Sequence, residues 1–352
     1  MPKRRRVESD NGSEGAEELQ VATSSTVTPA ITRSSIWLSD GNIVLQAENT
    51  QFKVHQGYLA RLSIIFSDVF SVPQPGSQPL VEGCVVLLLQ DSAQDLSVAL
   101  SEIYDRCYSP REQIHVETVL AMIRIGRKYE IQHLLKEGIA RLRTEFPATL
   151  EDHDRVDDTV SWSGIIDNDD AGSDVLFRIA NFCTSHSDMK ELLPVLPLAY
   201  YWANCRNLTT ILDGDPIGED VQCTPTLLSP EAQKICLRGR QKLLDRFSSS
   251  FAWVDKIPRV SLSSGASHSH KCSSVVEPLT NILWKPEPQL YVMLEPWDRL
   301  QKQLDRVTLR KEMCGECYVA ARKSHMQARE QLWNDLPGFF GLPSWDVLRV
   351  DA

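Results

Sequence analysis

The chain has 352 residues, 42% of them hydrophobic, enough for one large domain or, more readily, two domains with separate cores, and too many for a wholly disordered polymer. Its net charge of -10, from 37 Lys plus Arg against 47 Asp plus Glu, works against broad association with phosphate backbones or anionic lipid. No direct nucleic-acid partner is therefore expected.

The first feature is a basic tip. Lys3, Arg4, Arg5 and Arg6 stand between Pro2 and Val7, ahead of the polar stretch ESDNGSEGAEE. PKRRRV resembles short nuclear-localisation signals, in which an extended row of cations fits acidic grooves. A solvated charged terminus is the plainer alternative. A secretory leader is not expected, because the polar stretch lies where an apolar core would have to be. Residues 1–34 read as a disordered polar tail, and the nucleus, with the cytoplasm as a second location, is the expected compartment.

Residues 35–147 read as a compact α+β domain. SSIWLSDGNIVLQAENTQFKVH has short runs of strand-forming residues broken by Asp40-Gly41 and Glu48-Asn49-Thr50, which predicts two strands joined by tight turns. Leu59, Leu62, Ile65, Phe66, Val69 and Phe70 recur at helical spacing before Pro73, and PQPGSQP is then a loop. Val85 to Leu89 has the content of a buried strand, and Asp91 or Ser92 offers an N-cap to the next helix. Three helical patterns follow. They carry Leu96, Ala99, Leu100, Ile103 and Cys107; then Val116, Val119, Leu120 and Ile123; then Ile131, Leu134, Leu135, Leu142 and Phe146, ending at Pro147.

Within this span, Phe52-x-Val54-His55-x-x-x-Leu59-x-x-x-Ser63-x-x-Phe66-x-x-x-Phe70 resembles the signature of the BTB/POZ family, and LAMIRIGRKYEIQHLLKEGIARL resembles its late helical hairpin. With YDRCYSPREQI, GRKYEIQHL and the terminal LWNDLPGFFGLPSW, the chain is similar to the BTB proteins expanded in mushroom-forming fungi. The resemblance implies a short mixed sheet capped by a helical cluster, structural roles for Phe52, His55, Leu59, Ser63 and Phe66, and a protein-binding function without catalysis. Homodimers, cullin-type ubiquitin-ligase scaffolds and transcriptional corepressors are the partners it implies. A strand-end histidine such as His55 has a second reading as a catalytic base, but no nucleophile or paired carboxylate accompanies it in a recognisable motif.

From Glu151 to Asp174 the chain is rich in Asp and poor in apolar residues, which predicts an exposed acidic linker over 148–173. Residues 174–352 read as a mainly helical extension: Val175, Leu176, Ile179 and Phe182 recur at helical spacing, and PEAQKICLRGRQKLLDRF reads as a helix with Pro230 near its start. LLPVLPLAYYWA, at 192–203, is the longest apolar run and falls short of the ~20 residues a membrane span requires. The extension either stabilises the interaction domain or presents a second binding surface.

Nine cysteines, an odd number over a long chain, suit a reducing compartment better than a disulfide scaffold. Cys314-Gly-Glu-Cys317 is a C-x-x-C, whose spacing lets two thiolates meet one tetrahedral zinc ion. A structural zinc needs four ligands, and the loop holding His268, His270 and Cys272 is the first source of the other two, with Cys236 behind it. His325 lies eight residues past Cys317 on an expected helix, about 12 Å along its axis, and is excluded. Redox chemistry and plain packing of two cysteines are the alternatives. P-loop, dinucleotide-binding, G-x-S-x-G and H-E-x-x-H patterns do not occur, so an enzyme activity would have to hide in an unrecognised site of the extension.

Overall fold

A computed structural model describes residues 30–72, 79–105, 112–155, 162–166, 173–214, 225–257, 270–304 and 309–350. The basic tip Lys3 to Arg6, most of the 73–79 loop, Cys107 and His268 lie outside these residues.

The first segment forms three strands where two are expected: β1 (Thr32–Trp37), β2 (Ile43–Ala47) and β3 (Thr50–Val54). β1 begins inside the stretch read as polar tail. Its Ser and Thr content hides it, because β1 is an edge strand with half of its residues exposed and needs few apolar residues. β2 and β3 pair in antiparallel fashion across Glu48-Asn49, with Glu48 at φ 50°. Two helices, α1 (Gln56–Leu62) and α2 (Ile64–Ser71), follow, and the chain returns through β4 (Leu80–Val81) to β5 (Cys84–Leu89), which runs parallel to β2. Glu82 and Gly83 turn the β4–β5 hairpin with φ of 51° and 77°, the two left-handed positions that a tight hairpin demands. The sheet order is β1-β3-β2-β5-β4, a mixed sheet.

Side chains alternate across this sheet. Ile43, Leu45 and Ala47 of β2, with Phe52 and Val54 of β3, enter the main core, whereas Val44 joins Cys84 and Val86 in a small cluster on the other face, edged by Trp37 and Val81. Helices α3 (Ala93–Tyr104), α4 (Val116–Lys128) and α5 (Gln132–Glu145) cover the main face. Ser92 caps α3 by accepting the Asp95 N–H at 3.0 Å. α4 and α5 form a close antiparallel hairpin, with Gly126 against the backbone of Leu135 and Gly138 against Ile123.

The segment read as an exposed linker is exposed at Glu151, Asp152, Arg155 and Ser163 but is tied to the rest of the molecule at other described positions. Its first part forms α6 (Leu150–Arg155), and Ile165, 1% exposed, lies in a two-residue strand β7 (Ile165–Ile166) parallel to β6 (Ile114–His115). Glu145 accepts the backbone N–H groups of Ser163 and Gly164, and Arg141 donates to the carbonyls of Glu112 and Gly164. Trp162 packs against Phe146 and Trp202. Few apolar residues suffice because the backbone of this segment is tied down by charged side chains of α5.

The extension is helical, as expected. It comprises α7 (Ser173–Ser185), a 3-10 turn (Lys190–Val195), α8 (Leu196–Asn204), α9 (Leu208–Asp213), α10 (Pro230–Ser250), α11 (Ala252–Asp255), α12 (His270–Ser274), α13 (Val276–Trp284), a second 3-10 turn (Leu290–Met293), α14 (Trp297–Gln303), α15 (Leu309–Glu312), α16 (Gly315–Phe339) and α17 (Trp345–Val350). Pro197 and Pro230 stand at helix starts, where the missing N–H costs nothing. Trp333 of α16 stacks on Trp345 of α17, ring centroids 5.0 Å apart, and the Trp345 indole donates to the Trp333 carbonyl at 2.6 Å.

Separate cores are not observed among the described residues. Apart from the small cluster on the far face of the sheet, the buried apolar side chains form one continuous body from Ile36 to Leu348. The reason lies in α4, which buries Ala121, Met122 and Ile125 as well as Val116, Val119, Leu120 and Ile123, and so is covered on more than one face. α3, which also touches the sheet, and α5 pack against it, as does α7 from the extension.

Candidate functional site

Two constellations concentrate the chemistry. The first is the joint between sheet and helices. Phe52 on β3 and Leu59 on α1 are fully buried, and Phe66 on α2 nearly so. Ser63 stands between the two helices, where its Oγ accepts the Phe66 N–H at 3.0 Å and donates to the Tyr129 carbonyl at 2.5 Å. The Phe66 ring stacks on Tyr129 with centroids 4.4 Å apart and planes 5° from parallel. Tyr129 donates its hydroxyl to Asp91, and burial together with that carboxylate pushes the phenol pKa far up. A single polar network thus fastens α2 to the turn between α4 and α5.

His55 occupies the first position of this joint, preceding α1. Its backbone N–H donates to the Tyr104 hydroxyl at 3.1 Å, and its Nε2 lies 3.2 Å from an Asp40 carboxylate oxygen. That hydrogen bond holds the Asp40 pKa below the usual carboxylate range. The imidazole is thereby set between the β1–β2 turn and the end of α3. Tyr58 and Ile64, on α1 and α2, remain exposed at 40% and 61%.

The second constellation is a group of thiols. Cys272 on α12 is buried, Cys314 is the N-cap of α16 and Cys317 lies in that helix's first turn; their three Sγ atoms all fall within 4.8 Å of one another. The Cys314 N–H donates to Cys272 Sγ at 3.0 Å, and the Cys317 N–H donates to Cys314 Sγ at 3.5 Å. Desolvation and the neighbouring thiols Cys314 and Cys272 push the Cys317 pKa up to about 12. All three are thiols, not disulfides. Of the four zinc ligands expected, Cys272, Cys314 and Cys317 are brought together; the fourth, His268, lies outside the described residues. Cys236 sits buried on α10 and is not part of the group.

His325 is also separate from the thiols, as the rise of an unbroken α16 requires. It is 1% exposed, its Nε2 donates to the Glu295 carbonyl at 2.8 Å, and its ring lies against Phe251 and Trp297. Burial, reinforced by the charge of Arg329, lowers its pKa to about 4. One turn further along, Arg329 is buried at 2% exposure, donating to the Leu294 carbonyl at 2.5 Å and making a two-pronged contact with the Asp154 carboxylate. Nothing local in the sequence marks this pair, since its members lie 175 positions apart.

An open depression of about 940 Å³ between α5 and α6 is lined by Lys136, Arg143, Asp152, Arg155, Glu191 and Arg349, among others. Two of its arginines are engaged: Arg155 pairs with Asp152 and Glu151, and Arg143 donates to the Glu191 carbonyl. No protein-family model, curated protein or solved structure matches the chain.

Proposed function

We propose that the chain is a protein-interaction protein of BTB/POZ type, binding other proteins through residues 35–147 and using its helical extension to brace that module or to widen its surface. The observation that carries this reading is the joint itself. Phe52, His55, Leu59, Ser63 and Phe66, the residues on which the resemblance rests, meet at one junction between a mixed sheet and a helical cluster. A framework of buried contacts and backbone hydrogen bonds is the use the resemblance assigns to them. Tyr58 and Ile64, on the same two helices, supply exposed apolar side chains for a partner. The net charge of -10 supports protein partners over a nucleic-acid backbone.

The basic tip Lys3 to Arg6 supports nuclear import, with the cytoplasm as the other compartment. A reporter carrying residues 1–10 should concentrate in the nucleus, and should lose that concentration when the four cations become Ala.

The interaction reading is tested by crosslinked affinity purification of the full chain beside the Tyr58→Ala, Ile64→Asp double variant. We expect partners that the wild type enriches and the variant, with an unchanged circular dichroism spectrum, loses. Equal recovery by both proteins, or none above a tag-only control, overturns this surface as the binding face. Chromatin-associated or corepressor partners would make the protein a nuclear regulatory scaffold. Recovery of a cullin with its ring-finger partner would make it a ubiquitin-ligase adaptor. Sedimentation of the purified chain would register a homodimer.

A further inference from the structure

The three thiols carry a consequence that is independent of the interaction reading. Cys272 comes from α12, and Cys314 and Cys317 come from the start of α16, so two stretches 42 residues apart have been folded to bring three sulfurs to one point. Plain packing of cysteines requires no such convergence and directs no donors at the sulfurs. Here the Cys314 N–H donates to Cys272 Sγ and the Cys317 N–H donates to Cys314 Sγ, so the backbone itself ties the two stretches together at the sulfurs.

Three sulfur atoms drawn this close together are placed to bind a single cation. Zinc–sulfur bonds of about 2.3 Å in a tetrahedron place sulfurs about 3.8 Å apart, so a closure of an ångström or less brings separations within 4.8 Å to coordination distance. Gly315, against which an added Cβ would meet nothing within 4 Å, leaves the C-x-x-C turn room to adjust. Among biological cations, a soft, sulfur-rich tetrahedral donor set suits zinc(II).

We propose that Cys272, Cys314 and Cys317 are three of the ligands of a structural zinc(II) ion that fastens α12 to the start of α16. Binding replaces three S–H protons, which leave to solvent, with three S–Zn bonds, and no group is oxidised or reduced. The consequence reaches beyond the metal itself. α16 is the helix that presents His325, Arg329 and Trp333 to the rest of the molecule, so the ion anchors the first turn of the element that closes the core.

The test is the zinc content of the full chain purified under reducing conditions, beside the Cys314→Ser, Cys317→Ser double variant and the Cys272→Ser variant. We expect about one zinc per wild-type chain, at least a tenfold loss in each variant, and a lower wild-type melting temperature after chelation. Less than a tenth of an equivalent of zinc in the wild type, or undiminished zinc in the double variant, overturns the proposal. If the variants fail to fold, cobalt(II) titration of the reduced, metal-free wild type decides. A sulfur-to-cobalt charge-transfer band that zinc abolishes, together with zinc-dependent protection of these three cysteines from alkylation, is the expected result. No such band, or alkylation of all three at the same rate with and without zinc, overturns it.

Discussion

Burying an imidazole among Phe251 and Trp297, next to the charge of Arg329, makes the proton on His325 expensive in the folded state alone. In the unfolded chain the group protonates near its ordinary 6.5, whereas the fold keeps it neutral down to about 4. Stability is therefore intact above about pH 6.5 and declines as pH falls from there towards 4, by roughly 3 kcal/mol at ~1.4 kcal/mol per unit. Gln at this position can still donate to the Glu295 carbonyl and does not titrate. Urea midpoints at pH 7 and pH 5 should diverge more for the wild type than for His325→Gln, and equal differences would refute the assignment. The sequence marks His325 only as a histidine too far along a helix to share a metal with Cys317. Its burial and its carbonyl partner depend on the 3-10 turn at Leu290–Met293 and the loop after it, which no pattern within α16 announces.

At the scale of elements, the α4–α5 hairpin shows how close approach is encoded. A Cβ on Gly126 would stand 2.6 Å from the Leu135 backbone nitrogen, which has nowhere to retreat. Gly126→Ala should therefore destabilise by about 1–3 kcal/mol net of the ~1 kcal/mol that Ala gains in a helix. Gly57, in α1, has nothing within 4 Å of the same position, so Gly57→Ala should stabilise by up to ~1 kcal/mol. Thermal melting of the two variants beside the wild type checks both signs. The helices α3, α4 and α5 were legible in the spacing of their apolar residues, because a 3.6-residue period is a property of the backbone. β1 was not, since an edge strand is specified by the neighbour it pairs with, here β3, and not by its own composition.

Across the whole molecule, Asp154 and Arg329 act as a clasp between the segment after the sheet domain and the helix that closes the extension. Burial alone would raise the Asp154 pKa, but the adjacent His153 ring and the Arg329 guanidinium outweigh it and the net direction is down. Removing the carboxylate leaves a guanidinium with 1% of its side chain exposed and, among the described residues, the Leu294 carbonyl as its one remaining acceptor. Asp154→Ala should cost about 3 kcal/mol, the scale for stranding a buried charge. Equilibrium denaturation of the full chain measures it, and a loss below ~1 kcal/mol, the scale of an exposed ion pair, would show that the clasp is merely a surface contact. Because one apolar cluster joins both parts, this loss should appear as a shift of the whole transition and not as the release of one half.

The sequence by itself determined the class of architecture, an α+β region followed by helices, along with the longer helices, a cap for α3 at Asp91 or Ser92, Pro230 near the start of α10, and the spacing that brings Cys314 and Cys317 together. These are local matters, set by side-chain period, backbone hydrogen bonding and the chemistry of residues a few positions apart. Only the tertiary structure decided that the acidic segment is pinned to α5 by Glu145 and Arg141, that Arg329 meets Asp154, that α4 is buried from both sides, and that Cys272 joins the other two thiols. Each of these depends on which distant surfaces fit together once the apolar faces close, and a buried charge or thiol acquires its partner from that packing, whatever the character of its neighbours in sequence.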